Sequence, residues 1–352
     1  MLYTQGMSFF GSFIKKKHTE SAILIDVGAG SIFGSYVQFF ETEKPLITYA
    51  TEVRIESRPE EKPESAMERA LSDLGDRLTL EGAPAHLRAT GSGHADTILV
   101  SVDAPWQKTT MRTEVIDRKS PFTFSKTLLA AAVKQASETP PGFVLADESV
   151  IGTILNGYEV TSPFGKRVTH AKIVILSSAI AETVAAPVAS TLRRLFHTHN
   201  ILLIAGASLR YQALRQAFSH ENDALILDAN GPEVSLALVR HGYLVAINDL
   251  QDGAPTSDEW VHEVRDGLAA IAEDYPLPHR IFLLARESES EALRTSLENA
   301  KLGDLWFSED PPRIVAVNSS HLSGLTRIAT DAKPQLMTSL MTLYWQVERK
   351  RE

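Results

Sequence analysis

Two stretches of this chain, Ala22–Phe39 and 224–242, share one plan. The first reads AILIDVGAGSIFGSYVQF and the second ALILDANGPEVSLALVRHG. In each, apolar residues run into an aspartate, Asp26 or Asp228. The chain then bends through glycine and resumes as a second apolar strand, with no helix between. A single hairpin of this kind is common. Two of them, each opening a run of alternating strands and helices, predict duplicated α/β halves.

The rest of the chain supports a globular body of that size. Its 352 residues suit two domains or one large divided one. The net charge of −9 disfavours non-specific nucleic-acid binding. There are no cysteines, which excludes disulfides and thiolate catalysis and leaves no sulfur ligands for zinc. No apolar run reaches the roughly 18 residues that mark a spanning helix. In the N-terminal segment the lysines follow the apolar stretch, the reverse of a signal peptide. The expected location is the cytoplasm.

Between the two hairpins the period changes several times. Met67, Leu71, Leu74 and Leu78 fall at helical spacing. DTILVSVDAPW reads as a strand and QKTTMRTEVI as another, followed by a helix over 124–136. ESVIGTILNGYEV and RVTHAKIVILSSAI flank the turn TSPFGK as a hairpin. NILLIAG is a short strand and SLRYQALRQAF a helix. After the second hairpin come a helix over 258–275, the strand RIFLLA, a helix over 289–299, the strand RIVAV and a final helix over 333–351.

The glycines of the first hairpin invite three readings. A dinucleotide fingerprint needs G-x-G-x-x-G entering a helix. Here Gly28, Gly30 and Gly34 are one residue too long and enter a strand. No G-x-x-x-x-G-K-[ST] loop is present. A hairpin phosphate loop remains, with Gly28, Ala29, Gly30 and Ser31 offering backbone N–H groups. So does a plain turn without ligand. In the phosphate-loop reading, Asp26 and Asp228 hold Mg²⁺ through water.

The order of these segments resembles the actin-like ATPases, in the branch that holds the cell-division protein FtsA and the type IV pilus protein PilM. LIDVGAGSIFGSYVQF is similar to the family's first phosphate loop and LILDANGPEVSLALVRHG to its second. VSVDAPWQKTTMRTEVI, FTFSKTLLAAAVKQA and VIGTILNGYEVTSPFGKRVTHAKIVIL resemble the strand-helix-strand-strand insertion of that branch. The resemblance covers residues 20–330. It implies an actin-like, ribonuclease H-like fold of duplicated domains, with an inserted α/β subdomain and a reduced second half. It also implies ATP with Mg²⁺ as cofactor, held by Asp26, Gly28, Ala29, Gly30, Ser31, Asp228, Asn230, Gly231, Ala285 and Arg286.

The departures from the family bear on chemistry. In the second loop Pro232 has no N–H to give a phosphate, and Glu233 repels one. The adenosine loop of the family ends in two glycines, where this chain has Ala285 and Arg286. The acid of the family's EP-x-A stretch is absent from IAGASL. The short connection from Asp228 to Leu284 leaves room for one helix rather than a subdomain.

The expected organisation is therefore a leader at 1–20, a first half at 21–96 and 181–222, an insertion at 97–180, a reduced second half at 223–330 and a C-terminal helix at 331–352. The leading functional expectation is a cytoplasmic scaffold of a membrane-associated machine, in pilus assembly or cell division. It would bind the tail or a peptide of a membrane-anchored protein, with the strand Val168–Ser177 as the docking edge. Self-association and a weak membrane-surface contact through residues 8–17 belong to the same reading. The alternatives are an FtsA-like polymerising ATPase that binds and hydrolyses ATP and, with no catalytic acid identified, a sugar kinase of the same superfamily.

Overall fold

The computed structural model describes residues 19–351 except 136–138, 161, 231–233, 251–257, 307–309 and 330–331. The expected leader contact at 8–17 lies outside the described residues.

The first sheet opens as an antiparallel meander of β1 (Thr19–Val27), β2 (Ser31–Phe40) and β3 (Leu46–Arg54). Helices α1 (Pro63–Arg77) and α2 (Ala83–Thr90) then carry the chain to β4 (Thr97–Val102), which pairs parallel with β1 and places Ser101 opposite Asp26. A second sheet follows, built from β5 (Gln107–Thr123), β6 (Phe143–Leu155), the short β7 (Tyr158–Glu159) and β8 (Arg167–Ala181), with α3 (Lys126–Gln135) packed against it. Helix α4 (Glu182–Phe196) returns the chain to the first sheet. There β9 (Ile201–Ala205) pairs parallel with β4 and leads into α5 (Gly206–Ala217).

The third sheet repeats the first. β10 (Ala224–Asp228), β11 (Val234–Arg240) and β12 (Tyr243–Leu250) form the meander. After α6 (Asp258–Asp274), β13 (Arg280–Leu284) pairs parallel with β10. After α7 (Glu287–Asn299), β14 (Arg313–Val317) pairs parallel with β13. The order β12-β11-β10-β13-β14 matches β3-β2-β1-β4-β9 strand for strand. The duplication is thus one of topology as well as of hairpin sequence. A short α8 (Ser319–Leu322) and β15 (Arg327–Ile328) follow, and β15 adds to the edge of the first sheet beside β3. The last helix, α9 (Leu336–Arg351), packs on α5 and on β1 and β2.

Alternation along the strands decides what each face meets. On β1, Ile23, Ile25 and Val27 face α1 and α4. Ala22 and Leu24 face the opposite way, into the apolar core around α5 and α9. On β10, Leu225 and Leu227 face α6 and α7, while Ala224 and Ile226 join the same central core. That core runs from Phe39 and Leu99 in one half to Phe282 and Leu284 in the other, through Leu209, Ala213, Leu340 and Met341. The paired helices α5 and α9 therefore form the base on which both sheets rest.

Two expectations need correction. Thr97–Val102 was grouped with the insertion, but it is β4 of the first sheet, buried at all six positions. Parallel neighbours come from distant parts of the chain, so period alone does not assign them. The strand Val168–Ser177 was expected to offer an edge. It lies in β8, which pairs with both β5 and β6. The edges of the second sheet are β5 on one side and β6 on the other, where the short β7 covers only Ile154 and Leu155.

Candidate functional site

Asp26 and Asp228 close the first strands of their halves, and their parity is that of Leu24 and Ile226. Both therefore point toward the face occupied by α5. Ser101 and Asp103 follow Leu99 by the same alternation, because β4 runs parallel to β1. Four polar residues thus reach the same face from three strands.

Arg210 fills the space between them. It projects from the second turn of α5, and its Nη1 donates to Asp103 Oδ1 at 2.6 Å. Its Nε donates to Asp228 Oδ2. Asp26 accepts from the Ser101 hydroxyl. Asp228 also accepts at Oδ1 from the Asn230 N–H at 3.2 Å, an Asx turn that shapes the second loop. All four charged groups are buried, with Asp26 at 2% exposure and Arg210 at 6%.

Burial dominates the electrostatics. Loss of water around Asp26, followed by the nearby Asp103 carboxylate, pushes its pKa up to about 7. Asp103 is also raised by burial, with the Arg210 guanidinium pulling the other way. Burial works against the charge on Arg210, but Asp103, Asp228 and Asp26 outweigh it and hold the guanidinium protonated.

The approach of α5 depends on Gly206 at its first turn. A Cβ at that position would fall inside the Asp103 carboxylate and close to Arg210 Nη1. Glycine is therefore required by space, not by its φ. Each half extends its parallel ladder by one bond, in opposite senses: Asp103 N–H beyond β4 donates to Val27 O of β1 at 2.9 Å, whereas Ala229 N–H beyond β10 donates to Leu284 O of β13 at 2.8 Å.

The expected nucleotide-binding residues fall around this cluster. Gly28 and Ala29 are half-buried, Gly30 is exposed and Ser31 is buried. The Gly28 N–H is turned inward to Ser31 O at 3.1 Å, which removes one donor from a phosphate. Ala285 is buried at the end of β13, and Arg286 is exposed just before α7. The Arg286 guanidinium lies 3.0 Å from where a Cβ on Gly30 would be, so the first loop and the expected adenosine loop touch. Gly231 lies outside the described residues.

A Mg²⁺ shared by Asp26 and Asp228 does not fit this arrangement. Asp228, one of the two expected metal carboxylates, already holds a cation. Among the described residues no three acidic or histidine side chains are grouped to hold a metal ion. A cavity of about 30 Å³ beside Arg210 and Asp228, lined also by Thr109, Tyr211, Ser235 and Ile247, lies on the side of the insertion and is bounded by none of the residues of the first loop or of the expected adenosine loop.

Sequence reasoning missed Asp103 and Arg210. A signal for each was present. Asp103 continues the alternation Thr97, Leu99, Ser101. Arg210 sits one turn before Ala213 and Leu214 on the apolar face of α5, where an arginine needs a buried partner.

No protein-family model matches the chain, and no curated protein matches it in sequence. Solved structures do. A chain of the PilM-PilN type IV pilus biogenesis complex superposes with a TM-score of 0.58 at 15% identity, covering 93% of this chain and 98% of its own. A Bacteroides thetaiotaomicron protein of unknown function with an actin-like ATPase fold gives 0.46 at 7% identity, over 94% and 99%. The cytoplasmic domain of EpsL, an inner-membrane component of the Vibrio cholerae type II secretion system, gives 0.37 at 8% identity, over 92% and 94%. The fold is actin-like, of the kind found in the PilM-PilN complex.

Proposed function

We propose that this actin-like chain is a non-catalytic scaffold at the cytoplasmic face of a membrane machine, acting by binding the tail of a membrane-anchored protein. One observation carries the reading. A buried arginine joins the two halves and occupies Asp228, one of the two acids expected to hold Mg²⁺. A body whose metal-binding acid is taken by its own arginine acts through its surface. The shared fold with a chain of a pilus biogenesis complex supports the choice of partner class. Among the described residues no helix is long and apolar enough to cross a membrane, so a membrane connection through them rests on a partner.

The inserted sheet supplies the docking edge in this reading. β5 is a long outer strand, bonded only to β8 in the sheet order, and Val115 on it is 54% exposed. An extended peptide adds to such an edge through backbone hydrogen bonds. The insertion is anchored to the body where Ser208 on α5 donates to Asp147 Oδ2 on β6 at 3.1 Å.

The test uses the cytoplasmic tail of a membrane protein encoded beside this one, with binding read by fluorescence anisotropy. Successive residues of a strand direct their N–H groups to opposite edges. Of Thr113→Pro and Glu114→Pro, one therefore removes a bond to β8 and the other only a donor on the free edge. The variant that keeps the parent's stability is the probe, and it is expected to lose tail binding tenfold or more. Equal binding by that variant sinks the β5 edge. Millimolar ATP hydrolysed at about 1 s⁻¹ sinks the scaffold reading itself.

A further inference from the structure

We infer that Arg210 is a built-in replacement for the nucleotide's cation, a latch from the first half of the molecule to Asp228 of the second. The inference rests on the scaffold reading's occupied Asp228 and goes further, assigning what the arginine does there.

Arg210 and Asp103 both belong to the first half, on α5 and at the end of β4. Their 2.6 Å bond fixes the guanidinium within that half. Its Nε is then presented to Asp228, at the end of the first strand of the second half. A guanidinium is planar and offers donors in a fixed fork, so it bonds two carboxylates from different directions. Asp103 and Asp228 meet that fork at different nitrogens, Nη1 and Nε. Gly206 completes the device, since a side chain there would displace the Asp103 carboxylate.

The position is informative. Asp26 and Asp228 are the equivalent acids of the two repeated hairpins, and Arg210 reaches one of them and carries charge beside the other. A divalent ion between two such loops would draw the halves together by attracting both. Arg210 does so with a covalently attached charge, which stays in place whatever the nucleotide concentration. The apolar core around α5 and α9 joins the halves at their base, and the latch adds a buried polar tie at the ends of β4 and β10.

The experiment measures the separation of the halves. The chain has no cysteine, so Asp73→Cys on α1 and Glu298→Cys on α7, both exposed, take spin labels without background. The full chain is expected to give one narrow distance distribution, unchanged by millimolar Mg-ATP. Arg210→Met leaves two buried carboxylates facing each other without a cation and is expected to broaden and lengthen it. If that variant does not fold, the triple variant Arg210→Met, Asp103→Asn, Asp228→Asn removes the repulsion along with the latch and decides the matter. It is expected to fold with the broadened distribution. A triple variant that keeps the narrow distribution assigns closure to the apolar base and overturns the latch. So does a parent whose distance shortens with Mg-ATP. Tail binding reads the scaffold proposal separately, so a failed latch leaves it standing.

Discussion

Arg210 Nε donates to Asp228 Oδ2 across the boundary between the two repeated halves, with the two residues 6% and 7% exposed. At that depth a charge without a partner is costly, and removing one member of a buried pair typically costs about 3–5 kcal/mol. The pair therefore constrains what else can enter the cleft.

Nucleotide is the first consequence. A ligand that binds only the folded state raises stability by about 2.7 kcal/mol at a hundred times its Kd. ATP with Mg²⁺ at millimolar concentration is expected to leave the thermal midpoint of the parent unchanged. Hydrolysis is expected to stay at background. Differential scanning fluorimetry and phosphate release check both, and a rise of several degrees would contradict a nucleotide site blocked by the Arg210–Asp228 pair.

Gly206→Ala tests the packing that seats the arginine. The new methyl group meets the Asp103 carboxylate, which is held by Arg210 and cannot swing away without breaking that bond. The expected cost is about 1–3 kcal/mol. Gly303→Ala is the control, because nothing lies near a Cβ there; its effect is expected within about 0.5 kcal/mol. Urea unfolding of the pair measures the difference.

The pH dependence follows from Asp26. Its folded pKa, about 7, lies above the ordinary 3.8, so the folded state holds a proton that the unfolded chain releases. The stabilisation is complete below pH 3.8 and is lost as pH rises through 7. The slope is at most about 1.4 kcal/mol per pH unit. His86 acts in the opposite sense. Burial lowers its pKa to about 4, so its contribution is present above 6.5 and is lost as pH falls toward 4. The two are separated by comparing the parent with Asp26→Asn, which keeps a neutral side chain at every pH. Between pH 5 and pH 8 the parent is expected to lose stability relative to that variant. Parallel curves would show that Asp26 is already ionised at pH 5.

Trp345→Ala addresses the last helix. Trp345 is 5% exposed, and its Nε1 donates to Glu20 Oε1 at 3.2 Å. Arg349 stacks over Phe39 at 5.2 Å and donates to Phe40 O. A helix so placed is part of the core, and the truncation is expected to cost about 3–5 kcal/mol. A loss under 1 kcal/mol, read from denaturant midpoints, would mean that α9 is only loosely attached.

Much of the fold was legible because it rests on short-range pattern. The period of two in AILID and ALILD sets which side chains share a face, and it turns Asp26 and Asp228 the same way. Equal strand order in the halves was foreshadowed by the equal hairpins.

What the sequence alone determined is therefore local: strand, helix, facing, and an aspartate at the end of each first strand. Tertiary structure decided which strands are neighbours and what fills the space between the acids. β4 joined the first sheet, and β8 became central, because pairing between distant strands has no local period. Asp103 and Arg210 meet only when parallel pairing sets β4 beside β1, and when α5 leaves β9 with Gly206 against the carboxylate. An arginine in a helix reads as solvated by composition. Burial between acids from two halves makes it the cation of the cleft, because a desolvated charge is stable only where opposite charges are held within reach.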